Sequence, residues 1–299
     1  MNSSGTPIIT AFGILFVIAN ALSLGMSLKV GEILADFFKN WQFALRVLII
    51  NFVVLPALII GFAAIVDIPP DIKIGYCIVA LAAGAPFAPL LTRLAKGDVV
   101  TSTMLFLALV VGTLIVVPLA LPPTVAAVVP SINHVSGWSV AWPLLVFLAA
   151  PIFLGCLVRV RYSHVAEEAA KPLQIIAIGS LLLYFNAFVV TYLHLFATAW
   201  GSGTYGAAFA VPIIGIVFAI LGSRIWRESR GTRHASVITT AQRSISGAII
   251  VTVFNYPQPE ANVSVTIINS IGITILLILS LEWGRASSGD RAHQAPSAS

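Results

Sequence analysis

The sequence predicts an all-α polytopic membrane protein with about nine transmembrane helices. Hydrophobic residues make up 59% of the 299 residues and charged residues only 9%, whereas soluble domains carry roughly 25% charged residues. The mean hydropathy of +1.00 excludes a soluble fold with a polar surface. The apolar residues also gather in runs of about 20, the length of a membrane-crossing helix, and not in the alternating segments of about 10 that form a β-barrel.

Nine such runs follow one another along the chain. In order they are Pro7–Leu28, Leu45–Val66, Ile74–Leu94, Val99–Leu121, Trp138–Val158, Pro172–His194, Tyr205–Leu221, Ser236–Phe254 and Asn262–Leu281. No basic residue precedes the first run, which is long enough to cross a bilayer, so we expect a retained helix and not a cleaved signal peptide. The tail Ala286–Ser299 is small and polar, and we expect it to be disordered.

Lysine and arginine residues fall on one side of this arrangement. With the N-terminus outside, the outer loops contain only Lys73. The inner loops and the C-terminal tail contain Lys29, Lys39, Arg46, Arg93, Lys96, Arg159, Arg161, Lys171, Arg224, Arg227, Arg230, Arg233, Arg285 and Arg291. Positive-inside bias of this kind predicts a multi-pass protein of the cell membrane, the inner membrane in a bacterium, with a cytoplasmic C-terminus. The net charge of +5 then reflects anchoring in the bilayer, and no nucleic-acid partner is expected.

Two of the nine spans are interrupted in the middle. The third contains Gly84, Pro86 and Pro89, and the eighth contains Gln242 and Arg243 followed by small polar residues. Such breaks free backbone groups that lipid cannot satisfy, so they persist where they are buried in protein or line a cavity. Paired interrupted segments in the two halves of a chain point to the binding site of a secondary transporter.

The order of the spans predicts an inverted repeat. Spans two to four and spans seven to nine each place a broken segment between two continuous ones. The offset of five is odd, so the two copies enter the membrane in opposite directions. We expect one half over residues 1–122, the other over residues 123–285, and the tail over residues 286–299.

Several stretches resemble the bile acid:sodium symporter family. They are Asn51 to Pro56, Gly84-Ala85-Pro86, Leu91 to Asp98, and Gln242-Arg243-Ser244, and they lie in the family's order along nearly the whole chain. The resemblance implies two broken helices that cross in a core domain. It also implies a panel domain, here spans one, five and six, with substrate bound between panel and core. Asn51, Ser102 and Gln242 match positions at which the family supplies polar ligands to sodium.

The chain departs from the family at its ion site. A Ser-Asn pair in the first broken helix is replaced by Ala88 and Pro89, and an acidic residue four positions before Gln242 is replaced by Ile238. Sodium coupling is therefore not carried over by the resemblance, and the proton is an alternative coupling ion. No metal site or other cofactor is expected.

Arg243 replaces a residue that is commonly asparagine in the family. It lies seven residues past Ser236, about 10 Å along a helix, and an arginine near the bilayer centre costs about 2.5–3.5 kcal/mol. Three interpretations stay open: the guanidinium binds an anionic substrate, it is a fixed charge in place of a lost cation, or backbone carbonyls cap it in a purely structural role. Asn20 and Asn269 either line the cavity or form interhelical hydrogen bonds.

These patterns predict a secondary transporter of a small organic anion that works by alternating access. The predicted substrate-binding residues are Arg243, Gln242, Ser244, Pro86, Phe87 and Pro89, and the residues resembling an ion site are Asn51, Ser102 and Gln242. No hydrolase, protease or metalloprotease motif supports an enzyme. The alternatives are a sodium-coupled symporter with a rearranged ion site and, in a different class, a non-transporting membrane receptor. The sequence leaves the oligomeric state open.

Overall fold

The computed structural model describes residues 5–132 and 134–294, and it is 86% helical. All regular elements of the described residues are helices. An all-α polytopic membrane protein is therefore confirmed.

Thirteen helices follow one another in the described chain. They are α1 Gly5–Ser27, α2 Val30–Lys39, α3 Trp41–Ile65, α4 Pro70–Leu81, α5 Ala88–Leu94, α6 Val99–Val128, α7 Gly137–Arg161, α8 Ser163–Thr191, α9 Leu193–Gly201, α10 Thr204–Ile225, α11 Arg230–Ala241, α12 Ile245–Asn255 and α13 Pro259–Gln294.

Seven of these helices are long and apolar enough to cross a membrane, namely α1, α3, α6, α7, α8, α10 and α13. The other two predicted spans are the interrupted ones, which the structure divides into α4 with α5 and α11 with α12. Both interruptions were predicted at the correct residues. The total of nine spans stays a prediction, because neither divided segment contains one helix of sufficient length.

Helix α3 contains one π-helical turn, Ile50–Val54. Pro56 has no backbone N–H and its ring would clash with the carbonyl four residues earlier, so a regular α-helix cannot continue through it. The helix widens instead, and the Leu55 N–H bonds the Ile50 carbonyl five residues back. This turn carries Asn51, which is fully buried.

Helices α1, α7 and α8 pack against one another and form the group that we call the panel. The backbones of α1 and α7 approach closely at Gly25 and Gly155, where a Cβ atom on either residue would collide with the opposite backbone. The panel contains the three spans that the family resemblance assigned to it.

The remaining long and divided helices form the group that we call the core. Helix α4 packs on α13 and α6, helix α11 packs on α10 and α6, and α5 lies against α6 and α11. The panel touches this group chiefly through α7, which packs on α6 and α12, and through α1, which packs on α12.

Two short helices were not predicted. Helix α2 follows α1, and α9 follows α8, so each connects the panel to the core. Helix α2 has an apolar face and a polar face and no buried residue, as expected for a helix that lies in a membrane interface. At 10 and 9 residues both are too short to appear as spans.

Helix α13 extends into the C-terminal tail, whose disorder stays a prediction. Helix α13 continues to Gln294, past Ala286, where the sequence predicted disorder to begin. Alanine, arginine and glutamine propagate a helix well, and the next helix breaker is Pro296. Residues 295–299 lie outside the described part of the chain.

Candidate functional site

The two interruptions lie against each other. Ala83 and Arg243 form an isolated antiparallel β-bridge, and the Ser244 N–H donates to the Ala82 carbonyl at 3.0 Å. Backbone groups that the broken helices cannot pair are thus paired across the crossing point. The residues from Ala82 to Ala85 and Arg243 are all buried, so the crossing point is inside the protein.

Side chains complete the pairing at the first interruption. Thr113 Oγ1, on α6, accepts from the Ala83 N–H at 3.0 Å and donates to the Ala83 carbonyl at 2.8 Å. The next residue, Gly84, has a φ of +78°, and a Cβ atom there would lie 2.8 Å from the Val110 N atom. Only glycine meets both conditions without strain.

At the second interruption, hydrogen bonds between nearby residues end one helix and begin the next. The Gln242 N–H donates to the Ile238 carbonyl and ends α11, and Ser244 Oγ accepts from the Gly247 N–H and begins α12. The side-chain Oε1 atom of Gln242 is buried, and it has no hydrogen-bond partner. Gln242 therefore has an unused polar group at the crossing point.

Arg243 is 5% exposed. Its Nη1 atom donates to Asn51 Oδ1 at 3.2 Å, whereas its Nη2 atom is buried and has no partner. None of the ion pairs formed by described residues includes Arg243. Because a guanidinium is always charged in proteins, the site holds one uncompensated positive charge.

Asn51 connects this charge to the neighbouring helices. Its Nδ2 atom donates to the Val47 carbonyl at 3.0 Å and to Thr240 Oγ1 at 3.3 Å. The π-helical turn of α3 thus presents one amide to α11 and to the guanidinium. The structure brings Asn51 and Arg243 together, a contact that the sequence did not predict.

Ser102, the third residue of that set, belongs to a different cluster. Thr92 Oγ1 donates to Ser102 Oγ at 3.0 Å, and Ser102 Oγ lies 3.0 Å from Thr239 Oγ1. These three hydroxyl groups come from α5, α6 and α11. Two adjacent threonines on α11, Thr239 and Thr240, therefore face two separate polar clusters.

Two cavities adjoin the crossing point, on different sides of it. The core–panel cavity has a volume of about 10 Å³ and is lined by α1, α6, α7 and both interruptions, including Asn20, Pro86 and Ser244. The arginine cavity has a volume of about 100 Å³ and includes Phe87 and Arg243. The predicted substrate-binding residues are therefore divided between two cavities.

Most of the remaining predicted residues line one of these two cavities. Gln242 lines the arginine cavity, together with Asn269, while Pro89 lines neither cavity. Asn20 both lines the core–panel cavity and donates from Nδ2 to Ser246 Oγ at 3.4 Å, which joins panel to core. Both interpretations of Asn20 thus hold at once.

Comparison with known families decides the class of the protein. The Sodium Bile acid symporter family matches residues 14–198. The chain belongs to this family. Interrupted helices form the binding sites of secondary transporters. Membership of a family of such membrane proteins therefore explains why two interrupted helices meet inside this fold. No curated protein matches the chain.

The symporter-family match covers the first interruption and ends before the second. Gln242 and Arg243 lie outside the matched residues, so their place in the site depends on the backbone bridge to Ala83. This bridge puts them at the crossing point that the family resemblance predicted.

Sequence reasoning missed the threonine hydroxyl groups at the crossing point and in the neighbouring Ser102 cluster. Thr113, Thr92, Thr239 and Thr240 were not singled out, because a threonine in an apolar span usually bonds to its own helix. One signal was present: Thr239 and Thr240 are consecutive and precede the break at Gln242 by only a few residues.

Proposed function

We propose that the protein is a secondary active transporter of a small organic anion and that it works by alternating access between panel and core. Three observations support this function: the chain belongs to a family of symporters, two interrupted helices meet at a buried crossing point, and that point holds an unpaired cation. The unpaired cation is the observation that favours an anion as the substrate.

The role of Arg243 follows from its two terminal nitrogen atoms. Nη1 is held by Asn51 at 3.2 Å, which fixes the guanidinium to α3, and Nη2 has no partner. A buried donor without a partner costs about 1–3 kcal/mol. An anionic substrate that accepts from Nη2 removes this cost, so we propose that Arg243 both contacts substrate and holds the crossing point together.

We further propose that transport does not require sodium. Ile238 is a buried aliphatic residue at the position where the family resemblance implies an acidic ligand. Arg243 supplies a fixed positive charge further along the same segment, and it repels a second cation. A proton or the membrane potential then remains to couple transport. We propose a cell-membrane location with the N-terminus outside.

Flux through the purified protein tests this function. The full chain is reconstituted in proteoliposomes and given labelled carboxylates under a sodium gradient, a proton gradient or neither. We expect uptake of at least one anion at a rate that is indifferent to sodium. The absence of flux for every anion under every gradient contradicts transport and favours a receptor.

A sodium-coupled symporter is the second candidate, and the cluster of Thr92, Ser102 and Thr239 favours it. Three helices place hydroxyl oxygens there, with Ser102 Oγ 3.0 Å from each of the other two, and oxygen atoms are the ligands that hard cations prefer. If a sodium gradient accelerates uptake tenfold or more, and Ser102→Ala removes the acceleration, this candidate replaces sodium-independent transport.

A further inference from the structure

The arginine cavity lies on one side of the second interruption, among α8, α10 and α13. Its apolar lining includes Leu181 and Phe185 of α8, Val211 and Pro212 of α10, and Ile268 and Ile273 of α13. Arg243 and Gln242, from the second interruption, are also among the lining residues. The cavity is thus apolar over most of its surface, and its lining residues include one cationic and one amide side chain.

The predicted repeat explains why a cavity exists at this place. Spans six to nine correspond to spans one to four, so α7, the fifth span, has no counterpart. Helix α7 packs on α1, α6 and α12, and the corresponding helices are α8, α13 and α5. The cavity lies among α8, α13 and Phe87, the residue that precedes α5. It occupies the region that a counterpart of α7 would fill.

Two other polar side chains of the cavity already form hydrogen bonds within their own helix. Asn269 Nδ2 donates to the Val265 carbonyl at 2.9 Å, and Ser270 Oγ donates to the Thr266 carbonyl at 2.7 Å, both within α13. Arg243 Nη2 and Gln242 Oε1, in contrast, are buried and without partners. Of these two atoms only Arg243 Nη2 is a donor, and a ligand that bonds it carries an acceptor with negative charge.

The size of the cavity limits the rest of the ligand. A volume of about 100 Å³ is of the same order as the roughly 150 Å³ apolar cavity that holds benzene in another protein. A compact apolar body fits this space, and a steroid nucleus does not. Because the cavity has a single cation, one carboxylate matches its charge.

We propose that the arginine cavity binds the transported anion as a compact apolar monocarboxylate. This proposal rests on the proposed function and adds the class of substrate and the place where it binds. The carboxylate accepts from Arg243 Nη2, and the apolar body lies against α8, α10 and α13. The core–panel cavity, at about 10 Å³, has no room for such a molecule.

Binding to the full chain in lipid nanodiscs tests the proposal with three probes. Benzoate has the required charge and size, benzamide has nearly the same shape without the charge, and cholate has the charge on a larger body. We expect benzoate to bind and to raise the midpoint of thermal unfolding, and the other two to bind at least tenfold more weakly. Equal binding of benzamide, or tighter binding of cholate, overturns the proposal.

A matched pair of variants locates the bound probe. Leu181→Trp adds bulk to the wall of the cavity, whereas Leu182→Trp adds the same bulk at a neighbouring residue that is exposed and does not line it. We expect benzoate affinity to fall at least tenfold in the first variant and to be unchanged in the second. Val211→Phe fills the cavity from α10 and replaces the first variant if that one does not fold.

The same variants separate this proposal from the proposed function. If the protein transports an anion and Leu181→Trp and Val211→Phe both leave its affinity unchanged, the cavity is not the binding site, but transport stands. If no anion is transported and benzoate still binds, transport is contradicted while the cavity stands as a carboxylate site.

Discussion

Arg243 and Asn51 form the polar contact on which the site is built. The guanidinium is 5% exposed and has one side-chain hydrogen bond, to Asn51. In a buried site, removal of one partner leaves the other unpaired, which costs more than the bond itself contributes. Both residues were selected from sequence, yet the bond between them was not, because 192 positions separate them.

The first prediction concerns the charge of Arg243. Arg243→Ala should abolish anion uptake into proteoliposomes while the protein still inserts into the membrane. Arg243→Lys should also lose most uptake, since an ammonium group cannot bond Asn51 and the substrate with the fork of a guanidinium. Arg224→Ala, at the exposed end of α10, is the control. Normal uptake by Arg243→Ala would rule out a role in substrate binding.

The second prediction concerns Gly84. Its φ of +78°, together with the Val110 N atom 2.8 Å from where a Cβ atom would lie, leaves no space for a methyl group. Gly84→Ala should lower the free energy of unfolding by about 1–3 kcal/mol. Gly61→Ala in α3, where nothing lies within 4 Å, should be neutral or slightly stabilising. Thermal unfolding of both variants measures the difference, and equal midpoints would contradict it.

At the scale of the elements, the two divided helices were predictable and the short ones were not. Glycine and proline at Gly84 and Pro86 mark the first break by backbone chemistry alone, and Gln242 and Arg243 mark the second by their polarity. Helix α2 carries both apolar and charged residues, so no hydropathy window identifies it.

The ends of the helices were also less predictable than their centres. The span predicted at Pro172–His194 lies mostly in α8, which begins nine residues earlier, at Ser163, and ends at Thr191. Hydropathy marks where a helix enters lipid, whereas backbone hydrogen bonds decide where it begins. The first turns of α8 are polar, so they form helical hydrogen bonds but are not recognised as part of a span by hydropathy.

The third prediction tests how α6 supports the break between α4 and α5. Thr113→Val removes the hydroxyl that bonds both the N–H and the carbonyl of Ala83 while keeping the shape of the side chain. Two buried backbone groups lose their partner, so the free energy of unfolding should fall by about 1–3 kcal/mol. Thr103→Val, on the same helix, loses only a bond to Val99 of its own helix and should cost less. An equal loss in both variants would contradict the special role of Thr113.

At the scale of the whole molecule, panel and core meet through few polar contacts. The bond from Asn20 on α1 to Ser246 on α12 is one of them. Within the panel, Ser23 on α1 bonds Gln174 on α8 at 3.3 Å. The division into panel and core followed from the family resemblance, whereas these contacts did not, because side-chain pairs between distant segments carry no signal in a single sequence.

The fourth prediction tests whether panel and core move relative to each other. In a chain with Cys77→Ala and Cys156→Ser, the pair Asn20→Cys and Ser246→Cys joins panel to core through a short reducible thiol cross-linker. Cross-linking should stop uptake, and reduction should restore it. The control pair Ser23→Cys and Gln174→Cys joins two helices of the panel and should leave uptake unchanged. Full uptake by the cross-linked core–panel pair would contradict alternating access.

The short helices α2 and α9 bear on how far such a movement can extend. Each joins the end of a panel helix to the start of a core helix, and their 10 and 9 residues span about 15 and 14 Å at about 1.5 Å per residue. A helix of fixed length lets the two elements that it connects rotate relative to each other, but it does not let its two ends move further apart. If panel and core move as proposed, these two helices limit how far they can separate, and the bending would fall at the flanking residues, Lys29 and Asn40 for α2 and Tyr192 and Ser202 for α9.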